Sequence, residues 1–151
     1  MSSGKRLRPF LVLKTSELFG VEKERALRVA ASIEMVHAYS LVHDDLPSMD
    51  NDELRRGKPT THKKFNEAVA ILTGDSLLTL SFEILSDTLT HSDANIRCEL
   101  ISELAKAAGA LGMVGGQMMD LQAENKNLNI GVVTRIQRLK TGALISFACI
   151  A

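Results

Sequence analysis

Acidic residues crowd the segment from 44 to 53, which reads Asp-Asp-Leu-Pro-Ser-Met-Asp-Asn-Asp-Glu, and Arg55 and Arg56 follow almost at once. Carboxylate oxygens are the hard ligands that Mg²⁺ prefers, and protein-bound Mg²⁺ often holds phosphate as well. Arginine binds phosphate oxygens through two parallel hydrogen bonds. By composition alone the segment is also typical of a solvated, charged loop, so its interpretation depends on the residues around it.

The residues before this segment favour a functional site. Between Leu27 and Val42 the chain is apolar over most of a helical circumference, which predicts a buried helix. Adjacent carboxylates at the end of a buried helix need a partner that compensates their negative charge, and a bound cation is a suitable partner. Glu34, His37 and Asp44 recur at helical intervals, which predicts one polar stripe that faces a cavity.

The spacing of two aspartates requires a break in that helix. Asp44 and Asp50 would lie about 240° apart on a regular helix, so they could not share a metal ion there. Pro47 removes the hydrogen bond to the carbonyl group of His43 and loosens the turn. We expect a bulge that returns Asp50 to the side of Asp44. The prediction is a metal-bridged diphosphate site.

Several motifs together resemble one family. The residues at 44–50, followed by Arg-Arg-Gly-Lys-Pro-Thr at 55–60, resemble the first aspartate-rich motif of the trans-isoprenyl diphosphate synthases in its bacterial form. The resemblance covers essentially the whole chain and implies an all-α helical bundle of the isoprenoid synthase type around a central cavity. Further matches, in chain order, are Gly4–Pro9, Glu34, His37, Gly74-Asp75, Gly115–Leu121 and Lys140–Gly142.

The activity that this resemblance implies is condensation of isopentenyl diphosphate with dimethylallyl or geranyl diphosphate to give farnesyl diphosphate. Mg²⁺ is the implied cofactor, with Asp44 and Asp50 as its ligands. Asp45 resembles a supporting carboxylate, Arg55 resembles a contact to the allylic diphosphate, and Lys140 resembles a group that stabilises the carbocation. The implied catalytic residues are therefore Asp44, Asp45, Asp50, Arg55 and Lys140.

A second set of residues resembles the family's substrate contacts. Isopentenyl diphosphate must not ionise, so a basic pocket without a metal suits it. Lys5, Arg8, His37 and Arg56 match that pocket, and Arg55, Lys140 and Thr141 match contacts to the allylic substrate.

Three further positions are supporting residues. Gln117 and Asp120 share a helix face, where they either stand behind the metal ligands or pack the helix. Tyr39 lies roughly 7.5 Å deeper than Asp44 on the same helix. The family places an aromatic residue there as the floor of the farnesyl-producing pocket.

The elements that must position these residues are predicted to be helices. The apolar spacing predicts helices at about 8–19, 23–45, 66–88, 94–108, 117–125 and 130–151, with Gly20 and Asp93 as end signals and Gly109–Gly116 as an interruption. No pattern predicts a hairpin. We expect the last helix to expose an apolar face that no other element covers, formed by Leu139, Ala143, Leu144, Ile145, Phe147, Ala148 and Ile150.

Composition narrows the class of protein. The chain has 151 residues, which fits one domain, and a formal net charge of 0, which favours neither nucleic acid nor an acidic membrane surface. Cys98 and Cys149 form no metal or disulfide pattern, so reduced thiols are expected. We find no signal peptide and no apolar run that approaches a membrane span. These features predict a cytoplasmic protein, and the resemblance implies a homodimer when complete.

Two other functions stay open. A synthase of longer products, such as geranylgeranyl diphosphate, would carry the same motifs. A non-catalytic fragment would keep a metal and diphosphate site without turnover, since the family's second aspartate-rich motif has no counterpart here. We therefore expect a partial polyprenyl synthase domain over 1–151, incomplete at both ends. A terpene cyclase is disfavoured, because Gly4–Pro9 and Arg55-Arg56 imply a second diphosphate substrate.

Overall fold

Helices dominate the computed structural model, which describes residues 4–151. Residues 1–3, which enter the sequence argument about a signal peptide, lie outside that range. The predicted all-α class is confirmed. A π-helical segment, Arg138–Gly142, joins α7 to α8. The elements are α1 (Leu7–Leu18), α2 (Lys23–Asp44), β1 (Leu54–Arg55), β2 (Lys58–Pro59), α3 (Thr61–Lys64), α4 (Glu67–Ser86), α5 (Ala94–Ala108), α6 (Met113–Ala123), α7 (Ile130–Gln137) and α8 (Ala143–Ile150).

Local sequence signals account for several helix ends. Gly20, just beyond α1, has a φ of 70°, a left-handed conformation that glycine adopts at little cost. The Asn66 and Asp93 side chains each accept a 2.8 Å hydrogen bond from a backbone N–H, of Val69 and Asn95 respectively, and so cap α4 and α5. The predicted ends of α1, α2 and α4 are confirmed to within two residues.

The expected interruption at Gly109–Gly116 is shorter than predicted. Helix α6 begins at Met113 and contains Gly115 and Gly116, so the prediction of a helix start near Gln117 is wrong. Because glycine is unfavourable inside a helix, the adjacent Gly115 and Gly116 predict a break that the structure does not have. The close approach of another element to Gly116, described below, explains why glycine fits there.

A small hairpin lies in the segment for which no strand is predicted. Leu54 pairs with Pro59 and Arg55 with Lys58 in antiparallel register. The two turn residues, Arg56 and Gly57, both have positive φ, 54° and 75°, as a tight two-residue hairpin turn requires. The strands are two residues long, too short to show an alternating pattern in the sequence.

Helix α2 packs against both α1 and α4, and the predicted burial of this helix is confirmed. Ile33 and Val36 are fully buried in the hydrophobic core. The hydroxyl group of Ser32 donates a 2.8 Å hydrogen bond to the carbonyl oxygen of Ser81, which ties α2 to α4. Burial of each large apolar side chain contributes roughly 1.5–3 kcal/mol, so this contact anchors the end of α2 that carries the acidic residues.

The predicted uncovered face of the last helix is wrong for its largest residues. Leu144, Phe147 and Ala148 are completely or almost completely buried, because α8 packs against α1 and α5. The Thr15 hydroxyl also donates a 3.2 Å hydrogen bond to the carbonyl oxygen of Ala148. Ile150, at the end of α8, remains 66% exposed.

Helix α4 qualifies the expectation that no apolar run could span a membrane. Of the helices in residues 4–151, it alone is long and apolar enough by length and composition, with a mean hydropathy of 1.6. This is weak evidence for a membrane span. The helix packs against α2 and buries Ala70, Gly74, Ser81 and Leu85, and 22% of its apolar window is buried.

Candidate active site

A cavity of about 590 Å³ lies where α2, α4, α6 and the π-helical segment meet. Its walls carry polar groups near the end of α2 and apolar groups from α4 and α6. The cavity thus gathers residues that are far apart in the sequence. The predicted site residues that line it are Arg8, His37, Tyr39, Asp44, Gln117, Lys140 and Thr141.

The turn after α2 returns Asp50 to Asp44, as predicted. Proline has no N–H group, so Pro47 cannot donate the usual helical hydrogen bond to the carbonyl oxygen of His43. The backbone N–H of Leu46 donates to that oxygen instead, at 3.1 Å. The backbone N–H of Asp50 then donates to the carbonyl oxygen of Asp44 at 2.9 Å. Burial, and next the charge of Asp50, raise the pKa of Asp44 to about 6.

These two carboxylates suit a divalent cation. Burial and the negative charge of Asp50 both disfavour the ionised form of Asp44 and so raise its pKa. A bound cation would relieve both effects. Mg²⁺ is commonly held by one or two carboxylates, with water and phosphate oxygens as its other ligands. Within residues 4–151 no group of three or more His, Cys, Asp or Glu side chains could hold a metal ion. Asp44 and Asp50 would supply two carboxylate ligands, and the remaining ligands of Mg²⁺ would be water and phosphate oxygens.

Asp45 holds Arg55 rather than facing the cavity. Its carboxylate is almost completely buried and accepts hydrogen bonds from Nε of Arg55 at 2.7 and 3.0 Å. The hydrogen bonds that Arg55 donates to Asp45, and the charge of Asp45, raise the pKa of Arg55. A buried pair of this kind fixes the guanidinium group in one orientation. Asp45 thus fits the predicted role of a supporting carboxylate.

Basic residues surround His37. Burial first, and then the charges of Arg8, Arg56, Arg55 and Arg6 in that order, together lower the pKa of His37 to about 4. His37 is therefore neutral near pH 7 and lies within a field of positive charge. Such a field attracts an anion with several negative charges, as a diphosphate has.

The first residues of the described chain close this basic region. A Cβ atom on Gly4 would lie 2.8 Å from Nη1 of Arg56, so the start of the chain lies against the hairpin turn. Burial lowers the pKa of Arg8, and its Nε atom is buried with no hydrogen-bond partner within residues 4–151. Lys5 is exposed, and Arg6 forms an ion pair with Glu34. Arg8 and Arg56 thus flank His37, whereas Lys5 lies on the outer surface.

The π-helical segment positions Lys140 and Thr141. The backbone of this segment lies so close to α6 that a Cβ atom on Gly116 would be 2.2 Å from the backbone nitrogen of Lys140. Short π-helical segments inside α-helices frequently occur at functional sites. The Lys140 ammonium group donates a 2.5 Å hydrogen bond to the carboxylate of Asp120. Beside it, Oε1 of Gln117 is buried without a hydrogen-bond partner in the described part of the chain.

Tyr39 lies in the wall of the cavity and is 8% exposed. Burial, and then the charge of Asp44, raise the pKa of its phenol group. Its ring meets the imidazole ring of His43 edge to face, with 5.8 Å between the ring centroids. Tyr39 therefore belongs to the hydrophobic core and also lines the cavity.

Sequence reasoning missed several lining residues. His43 and Ile71 contribute to the cavity wall, and Met113 and Met118 add apolar surface from α6. The methionines carry no signal that distinguishes them from core residues. For His43 a signal existed, since it immediately precedes the first aspartate, but its contacts come from α4 and are invisible in the local sequence.

This fold and this site define a class of protein, the helical prenyl diphosphate synthases. The family described as polyprenyl synthetase matches residues 1–151, and the chain belongs to it.

Several relatives with similar sequences are synthases of prenyl diphosphates. The chain is 56% identical over 146 residues to the farnesyl diphosphate synthase of Escherichia coli (strain K12), which covers 96% of this chain and 49% of the relative. It is 46% identical over 153 residues to geranylgeranyl pyrophosphate synthase 4 of Arabidopsis thaliana, covering 99% of this chain and 41% of the relative. The chain thus spans about half the length of the curated relatives it matches.

A solved structure gives the same result. The apo FPP/GFPP synthase from Zymomonas mobilis is 55% identical and superposes with a TM-score of 0.95, covering 99% of this chain and 54% of that chain. The predicted helical bundle of the isoprenoid synthase type is confirmed.

Proposed function

We propose that this chain supplies the first diphosphate site of a prenyltransferase that condenses isopentenyl diphosphate with dimethylallyl or geranyl diphosphate to give farnesyl diphosphate. One observation carries the proposal. A single cavity brings together the carboxylate of Asp44, the guanidinium group of Arg8 and the ammonium group of Lys140. Metal-ligating and cationic groups on one cavity suit substrates that carry diphosphate at one end and a hydrocarbon chain at the other.

In this proposal Asp44 and Asp50 hold Mg²⁺. When bound, the ion neutralises charge on the allylic diphosphate as that group departs. Arg55, held by Asp45, donates to the same diphosphate from the hairpin. Because these groups are already oriented, they stabilise the leaving group without rearranging during the reaction.

Isopentenyl diphosphate binds the basic region in this scheme. Arg8 and Arg56 flank the neutral His37, and Lys5 extends the positive surface outward. This region holds its diphosphate by cationic side chains alone. The substrate therefore stays intact, and its double bond attacks the allylic cation, after which a proton leaves to the diphosphate.

Lys140 and Thr141 contact the allylic substrate from the opposite wall. The ammonium group of Lys140 is held by Asp120 at 2.5 Å, so its charge is directed rather than mobile. The oxygen of Gln117, which is buried without a partner in the described part of the chain, would accept a hydrogen bond from a group bound in the cavity that it lines. Asp120 and Gln117 are thus positioning residues behind those that touch substrate.

Tyr39 favours farnesyl diphosphate over longer products. An aromatic ring in the cavity wall, five residues before Asp44 on the same helix, limits the length of hydrocarbon that the cavity accepts. A geranylgeranyl diphosphate synthase remains the second candidate, since a relative of that name is 46% identical. The competing idea of a non-catalytic fragment rests on the length of the match and on the missing counterpart of the second aspartate-rich motif.

The remaining parts of the proposal concern the whole protein. We place the chain as a partial polyprenyl synthase domain that carries the first aspartate-rich motif. It acts in the cytoplasm, as a homodimer, and binds neither nucleic acid nor membrane. We use "completed synthase" below for this chain together with the remaining length that its relatives carry.

A condensation assay tests the proposal. The completed synthase, given radiolabelled isopentenyl diphosphate, dimethylallyl diphosphate and Mg²⁺, should release a fifteen-carbon product. The 151-residue chain alone should bind inorganic diphosphate weakly in a Mg²⁺-dependent manner and release no farnesyl product. Farnesyl diphosphate made by a monodisperse monomer of this chain would contradict our account of the metal site, because one pair of carboxylates would then be enough.

A further inference from the structure

Gly74, in the middle of α4, forms a seat for the imidazole ring of His43. A Cβ atom at position 74 would lie 2.0 Å from Nε2 and 2.4 Å from Cδ2 of His43. Nε2 is also 3.0 Å from the carbonyl oxygen of Ile71, one turn earlier on α4. Glycine is less favourable than alanine inside a helix. The contact with His43 explains why glycine occupies position 74, because the Cβ atom of alanine would collide with the ring.

The seated ring contacts the residue proposed to limit product length. His43 meets Tyr39 edge to face, at 5.8 Å and an interplanar angle of 79°. Both rings line the cavity, together with Ile71. Through His43, the position of the Tyr39 ring in the cavity depends on a backbone position on α4.

We propose that His43, seated on Gly74 and bonded to the Ile71 carbonyl, is a positioning residue that holds the ring of Tyr39 across the cavity and so takes part in setting product length. His43 acts through Tyr39 and does not touch the reacting atoms. A side chain at position 74 displaces the imidazole ring, which then no longer supports Tyr39. The part of this inference that concerns product length rests on the proposed function, whereas the seat itself does not.

The composition of the chain provides a direct probe of the seat. It contains one tyrosine and no tryptophan, so tyrosine fluorescence reports on Tyr39 alone. In the 151-residue chain, Gly74→Ala and His43→Ala should each raise the acrylamide quenching constant by about two- to tenfold, the range that the loss of an edge-to-face pair allows. The double variant should not exceed the larger single effect, because both changes remove the same support.

Gly142→Ala is the matched control for the glycine substitution. It also lies in a helical segment, and its added Cβ atom would meet no atom nearer than 3.7 Å. Its quenching constant should equal that of the wild type. His43→Ala only removes atoms, so it carries the test if the Gly74→Ala chain does not fold. Wild-type quenching in the His43→Ala chain would overturn the proposal.

The completed synthase tests the consequence for catalysis. His43→Ala should raise the fraction of products longer than fifteen carbons by about two- to tenfold, with the KM for isopentenyl diphosphate unchanged. A merely structural role would change yield and leave the product spectrum as it is, and that result would also overturn the inference. A wild-type completed synthase that makes no farnesyl diphosphate would instead contradict the proposed function and leave the fluorescence result standing.

Discussion

The backbone N–H of Asp50 donates a 2.9 Å hydrogen bond to the backbone carbonyl oxygen of Asp44. This bond closes the turn that follows α2 and brings two carboxylates together without an unbroken helix between them. The carboxylates repel each other, and the pKa of Asp44 rises to about 6 as a result of burial and of that repulsion. The turn therefore holds an unfavourable pairing of charges, which a bound divalent cation would relieve.

Replacing Asp44 by alanine should remove most activity. In the completed synthase we expect Asp44→Ala to lower kcat by at least about 10²–10³, the usual effect of losing one preorganised charge-stabilising group. The radiolabelled condensation assay measures this loss. Glu53→Gln is the control from the same acidic segment, since Glu53 is exposed and pairs only with Lys63 at 2.8 Å in the described structure. Mg²⁺-dependent turnover at the wild-type rate in Asp44→Ala would refute the ligand assignment.

His37 should make the metal-free chain less stable in acid. Its pKa falls from an ordinary 6.5 to about 4 on folding, so the folded chain binds fewer protons than the unfolded chain. The resulting stability is present above pH 6.5 and is lost as the pH falls towards 4. The loss amounts to roughly 3 kcal/mol at most. Urea unfolding between pH 7.5 and 4.5 should show a smaller acid loss in His37→Gln than in the wild type; equal losses would show that His37 is not the cause.

Asp44 should have the opposite effect in the same experiment. Its pKa rises from an ordinary 3.8 to about 6 on folding, which favours the protonated form in the folded chain. The stability that this contributes is present below pH 3.8 and is lost as the pH rises through 6. Asp44→Asn should therefore unfold at a higher urea concentration than the wild type at pH 7.5 without Mg²⁺, and added Mg²⁺ should stabilise only the wild type. If the Asp44→Asn chain unfolded at a lower urea concentration than the wild type at pH 7.5, this would contradict the burial of the Asp44 charge.

Tyr39 should limit product length. Tyr39→Ala in the completed synthase removes a ring from the cavity wall and should shift the products beyond fifteen carbons, as separation of the dephosphorylated alcohols by chain length would show. Phe19→Ala is the matched control, because Phe19 is 84% exposed. Products of unchanged length would place the floor of the cavity elsewhere and would contradict the role of Tyr39 in product length.

Gly116 should tolerate no side chain. A Cβ atom there would lie 2.2 and 2.6 Å from the backbone nitrogen and Cα atoms of Lys140, and backbone atoms cannot rotate away. We expect Gly116→Ala to lower the free energy of unfolding by about 1–3 kcal/mol, the usual cost of overpacking. Urea unfolding followed by circular dichroism measures it. Gly142→Ala, whose Cβ atom fits, should not destabilise the chain, and an equally stable Gly116→Ala chain would mean that the two helices separate freely.

The sequence by itself determined the helical class, most helix ends and the aspartate turn. These features depend on groups close together in the chain. Asn66 and Asp93 cap helices through backbone N–H groups two or three residues away, and the proline at position 47 redirects the chain between Asp44 and Asp50. Local hydrogen bonds of this kind leave a pattern that can be read along the sequence.

Tertiary structure alone decided the contacts that join distant helices. Nothing near Gly74 indicates that an imidazole ring from α2 rests on it, and nothing near Gly116 indicates that the π-helical segment lies against it. The burial of Phe147 against α1 and α5 likewise overturned the expectation of an uncovered face. An apolar side chain or a glycine has the same local preferences whatever packs against it, so the partner is settled only when the helices assemble.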